Sequence, residues 1–300
     1  MRARMVVAVA VLAVVAACSG AAPGGSGGSV LRVVAAENFW GSIAAQIGGS
    51  HADVQSVVTD PNADPHEYAS STNDSRAIAM ADVVIVNGAG YDTWAQAMLG
   101  ASKRASRRVI TVADLVGKKE GDNPHFWYDP AFVARVADQI TATFKTADPA
   151  GASYFDQRRA ALDAALKPYR DRIAEIKHRF GGVKIAATES VFAYMASALG
   201  LDLISPPAFM TAVAEGTEPP AATVIQFQNQ LQAKEARVLV YNVQAFSSVT
   251  TNLKHLAAAA DIPVVGVSET LQPESATFQE WQVSQLLALE NALNADALAR

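Results

Sequence analysis

The sequence predicts an α/β fold of two lobes, each a parallel sheet flanked by helices. One long helix joins the lobes, and the ligand cleft lies between them. Three observations predict this. Short β-branched runs alternate with helical stretches from Leu31 onward. The alternation stops for one glycine-free amphipathic stripe, Tyr154 to Phe180, and then resumes. A length of 300 residues, with 50% hydrophobic, supplies material for two cores rather than one.

Leu31–Ala35, Val54–Val58, Val83–Val86 and Arg108–Val112 read as strands, bounded by polar residues or Gly. Ser42–Ile47, Asn73–Met80 and Thr93–Leu99 read as the helices between them. Asp129-Pro130 offers an N-cap followed by Pro, opening a helix to about Thr146. The stripe places Phe155, Leu162, Leu166, Tyr169, Ile173, Ile176 and Phe180 on one helical face. Such a helix would span on the order of 40 Å. Pro168 lies off the stripe and should kink it, and Gly181-Gly182 ends it. Beyond it, strands fit Lys184–Ala187, Asp202–Ile204, Val238–Tyr241 and Val264–Val267. Helices fit Val191–Leu199, Pro220–Ala236, Ser247–Ala260 and Phe278–Leu298.

The first thirty residues read as an address. Arg2 and Arg4 precede an uncharged apolar run, Met5 to Ala17, too short for the ~20 residues of a membrane-spanning helix. The run ends Val15-Ala16-Ala17-Cys18, which resembles a bacterial lipobox with Cys18 as the lipidated residue. A plain signal peptide with an incidental Cys is the alternative. Ser19 to Ser29 is a Gly/Ser tether. The expected division is 1–17 signal peptide, 18–29 tether, 30–148 N-terminal lobe, 149–180 linking helix and 181–300 C-terminal lobe. The protein is expected outside the cytoplasm, anchored to the membrane as a monomer.

Composition narrows the chemistry. A net charge of −5 does not suit nucleic-acid binding. A single Cys excludes an intramolecular disulfide and multi-cysteine metal sites. No H-E-x-x-H or G-x-S-x-G motif occurs, which argues against a zinc hydrolase. No enzyme activity is expected.

Of five histidines, two have unusual surroundings. His66 sits in the Pro- and Asp-rich segment after the second strand, and His125 sits in Asn123-Pro124-His125-Phe126-Trp127-Tyr128-Asp129-Pro130 before a helix. Ligands in open α/β sheets bind beyond the carboxyl ends of strands, and a preceding Pro fixes the backbone at each His. On these residues alone, metal binding and two unpartnered loop histidines both stand.

"DPHEY" at 64–68 and "NPHFWYDP" at 123–130 resemble the two His motifs of the zinc/manganese solute-binding proteins of bacterial ABC importers. The family forms are close to D-P-H-x-Y and D-P-H-x-W-L-D-P. The resemblance covers nearly the whole mature chain. It includes Thr188-Glu189-Ser190-Val191-Phe192-Ala193-Tyr194, similar to the family's E/H-x-x-F-x-Y motif, and Val267-Ser268-Glu269-Thr270-Leu271.

The resemblance implies a metal held by His66, His125, Glu189 and Glu269, with zinc or manganese as cargo and an ABC permease as partner. Such a nitrogen/oxygen set suits either ion. A binding protein for a metal chelate, such as a siderophore or corrinoid, is the alternative, and it would show an aromatic or basic cleft. Asp60 and Asp64 flank His66 as candidates to orient it, or serve as turn formers. Glu37 reads as an exposed rim acid or an outer partner of the site. Asn242 stands where many family members carry Glu. The His-rich loop of some zinc-binding members is absent between Val116 and Asn123.

Overall fold

The structure is a computed structural model and describes residues 30–62 and 65–295. The signal segment, Cys18, the tether and Asp64 lie outside the described residues. The first lobe runs β1 (Leu31–Glu37), α1 (Asn38–Gly48), β2 (Ala52–Val58), α2 (Thr72–Met80), β3 (Val83–Val86), α3 (Thr93–Ala101), β4 (Arg108–Thr111), α4 (Val112–Val116) and α5 (Pro130–Ala147). Its strands are parallel, in the order β2-β1-β3-β4.

Segment 149–180 is two helices rather than one, α6 (Ala152–Ala165) and α7 (Lys167–Phe180). Pro168 lacks an N–H and would press on the carbonyl of Ala164, so the helix restarts there with Pro168 in its first turn. The break is slight. Leu166 N–H still reaches the Leu162 carbonyl at 2.9 Å, and Arg170 N–H reaches Leu166 at 3.1 Å. All seven apolar residues of the stripe are buried. α6 packs on α1 and α5, while α7 packs on the last helix of the chain, so the broken rod belongs to both lobes.

The second lobe repeats the plan with β5 (Lys184–Ala187), α8 (Ala193–Ala198), β6 (Asp202–Leu203), α9 (Pro207–Ala214), α10 (Ala221–Gln232), β7 (Leu239–Asn242), α11 (Ser248–Ala259), β8 (Val264–Val267) and α12 (Phe278–Ala295). Its strands are parallel too, in the order β6-β5-β7-β8. α4 and α9 are helices that the sequence pattern did not predict.

Each strand order reverses direction at one place, between β1 and β3 and between β5 and β7. Loops from neighbouring strands part there, leaving a crevice at the carboxyl edge. Among the described residues, no helix is long and apolar enough to cross a membrane.

Candidate metal centre

The carboxyl ends of both sheets deliver the polar residues to one place. His66 lies in the short 3-10 turn Pro65–Glu67 that follows β2, and His125 precedes the 3-10 turn Phe126–Tyr128. Glu189 follows β5, Asn242 ends β7, and Glu269 follows β8. His125, Glu189, Asn242 and Glu269 are all at most 1% exposed.

His66, His125 and Glu269 each present one ligand atom, and the three atoms lie within 4.8 Å of one another. Nε2 of His66 is 3.4 Å and Nε2 of His125 is 3.5 Å from the same oxygen, Oε2 of Glu269. Glu269, the least specific of the sequence matches, is therefore the centre of the cluster. Glu189 stands one residue further out. Its Oε1 accepts from Nδ2 of Asn242 at 3.0 Å, and the same amide donates to Oε1 of Glu269 at 2.8 Å. Asn242 thus bridges the two carboxylates.

Burial shifts these groups in opposing ways. It lowers the pKa of His125, so the imidazole is neutral and able to ligate. Burial also pushes Glu269 up, but the facing His66 and His125 outweigh it and hold the carboxyl well below its usual range. Nε2 of His125 is buried with no hydrogen-bond partner. A bare imidazole nitrogen beside a carboxylate fits a cation better than a packed core.

Two residues that the sequence reading passed over shape the site. Tyr91 donates its hydroxyl to Oε2 of Glu269 at 2.7 Å. It is thrown back toward the cleft by the left-handed residues Gly88, Ala89 and Gly90. Asp92 pins this turn by accepting from the N–H groups of Asn87 at 2.5 Å and Gly88 at 2.9 Å. The second is Asn123, whose Oδ1 lies 2.6 Å from Nδ1 of His125. The only advance signal for either was position: a Gly-rich turn after a strand, and the residue two before a ligand His.

Other expected residues fall differently. Oδ1 of Asp60 accepts from Asn62 N–H at 2.8 Å, as a turn former does. Its carbonyl accepts from the Thr270 hydroxyl at 3.2 Å. Glu37 is not an exposed rim acid. It is 1% exposed, and burial together with the nearby Asp92 charge raises its pKa well above the usual value. β1 is central in its sheet, and Glu37 at its carboxyl end lies against Asp92 of the turn after β3, away from solvent.

The lobes touch across the site. Tyr128 places its hydroxyl 2.7 Å from the Ser268 carbonyl, Leu271 N–H donates to Asn38 at 3.3 Å, and Gln272 donates to the Pro61 carbonyl at 2.6 Å. A cavity of about 640 Å³ leads in from the surface to His66 and Tyr91. Its walls carry Glu120, Asp122 and Glu215 but no Lys or Arg. These carboxylates give the wall a negative potential, which attracts cations.

Two α/β lobes closing on a His/His/Glu cluster define a solute-binding protein for a metal cation, not an enzyme. The family model described as zinc-uptake complex component A, periplasmic, matches residues 33–292, and the chain belongs to that family. The chain is similar to the manganese-binding lipoprotein MntA of Halalkalibacterium halodurans, 26% identical over 205 residues, covering 65% of this chain and 67% of that one. It is also 26% identical over 181 residues to the iron-binding protein YfeA of Yersinia pestis, covering 56% of this chain and 57% of that one. Among solved structures, a manganese-bound mutant of a periplasmic metal-binding protein from Candidatus Liberibacter asiaticus has the same fold, with TM-score 0.72. It is 15% identical and covers 87% of this chain and 98% of that one.

Proposed function

We propose that this protein captures one divalent zinc or manganese ion outside the cytoplasm and hands it to the permease of an ABC importer. The observation that carries the reading is the meeting of His66, His125 and Glu269 from two lobes around a single carboxylate oxygen. Glu189 completes the set as the fourth ligand, with Asn242 holding it in reach. Ligands from both lobes make the bound ion a bridge, so loading favours the closed cleft and release requires opening.

Residues 18–29 serve as a tether from a lipid anchor on Cys18, and the lobes of 30–148 and 181–300 work as a monomer. Membership of the zinc-uptake family and the likeness to a manganese-binding lipoprotein support metal transport. The acidic cleft, without basic or broad aromatic walls, speaks against a chelate.

The test is metal analysis of chelator-stripped protein after exposure to Zn²⁺, Mn²⁺ or both. About one ion per chain is expected, with loss of uptake in His125→Ala and Glu269→Gln. Unaltered uptake in both variants would refute the reading. Competition between the two ions decides the cargo.

A further inference from the structure

Asn123 makes more bonds across this site than its place in the sequence suggests. Its Oδ1 accepts from the backbone N–H of His125 at 3.1 Å and lies 2.6 Å from Nδ1 of the same residue. Its Nδ2 donates to the carbonyl of Ser190 at 2.8 Å. Its own carbonyl accepts from the hydroxyl of Tyr194 at 3.0 Å. Ser190 and Tyr194 belong to the second lobe, and Ser190 adjoins Glu189.

The amide orientation follows from its partners. A backbone N–H only donates, so the atom facing His125 is the oxygen, and a carbonyl only accepts, so the atom facing Ser190 is the nitrogen. Nδ1 of His125 must then carry the ring proton, which leaves the Nε2 lone pair for the ion. One side chain therefore fixes the ligating tautomer and reaches across the cleft. An aspartate, the residue that the resembling motif carries here, serves the first purpose only. It has no donor for Ser190, and its oxygen would face the carbonyl at hydrogen-bond distance.

We propose that Asn123 is a positioning residue that latches the lobes. It couples the coordination-ready tautomer of His125 to closure at Ser190, and so sets the rate of metal release. The inference rests on the metal-binding reading above.

Asn123→Asp and Asn123→Ala separate its two jobs. Zinc or manganese release is timed by mixing loaded protein with excess chelator, and the His125 ring is read by ¹⁵N NMR on metal-free protein. Asn123→Asp should keep the Nδ1–H signal yet release metal about threefold to tenfold faster, the scale of one lost hydrogen bond. An added negative charge beside a ligand would by itself slow release, so faster release isolates the lost latch. Asn123→Ala should also show the other tautomer. Tyr194→Phe, which leaves the imidazole partner intact, should speed release without changing the ring signal.

Release from Asn123→Asp at or below the wild-type rate, or an unchanged Nδ1–H signal in Asn123→Ala, would overturn the inference. Wild-type protein that takes up neither ion would instead overturn the functional reading, while the NMR comparison on metal-free protein would still test whether Asn123 sets the His125 tautomer.

Discussion

Asn242→Ala is the sharpest probe of the site, because one amide group serves two buried acids. Its Nδ2 donates to Glu189 at 3.0 Å and to Glu269 at 2.8 Å. Two unit charges about 6 Å apart repel by about 3 kcal/mol at an effective dielectric of about 20. Each hydrogen bond to a charged group contributes about 1.5–3 kcal/mol when the group has no substitute partner. The carboxylates can relieve part of this by taking up a proton, so the loss in metal-free protein should be about 3 kcal/mol. For a chain of this size, with an unfolding entropy of about 2.1 cal/mol/K per residue, that is a fall of about 5 °C in Tm. A bound dication supplies the missing counter-charge, so loading should raise the Tm of the variant by more than it raises that of wild type. Differential scanning calorimetry with and without Zn²⁺ or Mn²⁺ reads both quantities. A metal-free variant melting within about 2 °C of wild type, or a metal-induced rise no larger than wild type's, would refute the bridging role.

Two further outcomes are expected. Glu37 holds a proton in the folded state well above its ordinary value of 4.5. Folded protein therefore binds more protons than unfolded above that pH, and stability declines as pH rises through the window toward the folded value. Glu37→Gln keeps the group neutral, so its Tm advantage over wild type should widen between pH 5 and pH 8; a constant difference would contradict the assignment. Phe39 stacks on Trp127 with ring centroids 3.9 Å apart, and Trp127 meets His125 edge-on at 5.2 Å. Phe39→Ala should cost about 3–5 kcal/mol and should also weaken metal binding as Trp127 relaxes from behind the imidazole. Chemical denaturation and competitive metal titration measure the two, and undiminished affinity would show that the stack does not support His125.

What was legible in the sequence follows the strength of local signals. β3, with four consecutive buried β-branched residues, was readable at both ends. The sequence pattern marks α1 only from Ser42, because no capping side chain signals its start straight after Glu37. α9 has few polar positions and follows Pro206, so it shows no amphipathic period. α4 abuts β4 directly and passed as the end of the strand. In the site, His66 and Glu269 lie in short segments just after strands and His125 in the Pro-containing loop beyond α4, so each is legible locally as a candidate. Tyr91, Asn123 and the burial of Glu37 depend on loops from different strands meeting, which no local pattern encodes.

The two asparagines also bear on how tightly an ion can be held. In the proposed loaded site a dication offsets the carboxylates of Glu189 and Glu269, whereas in the empty site these two buried acids face each other across Asn242 without it. Asn242 and Tyr91 offset that cost with donors while adding no charge. A carboxylate in place of Asn242, as in the resembling family, would make the empty site less stable and the pull on a dication stronger. Neither amide favours one metal. Zinc outcompetes manganese at most nitrogen/oxygen sites, so a manganese cargo would require a preference set by coordination geometry or by the ions available outside the cell, rather than by the donor atoms alone.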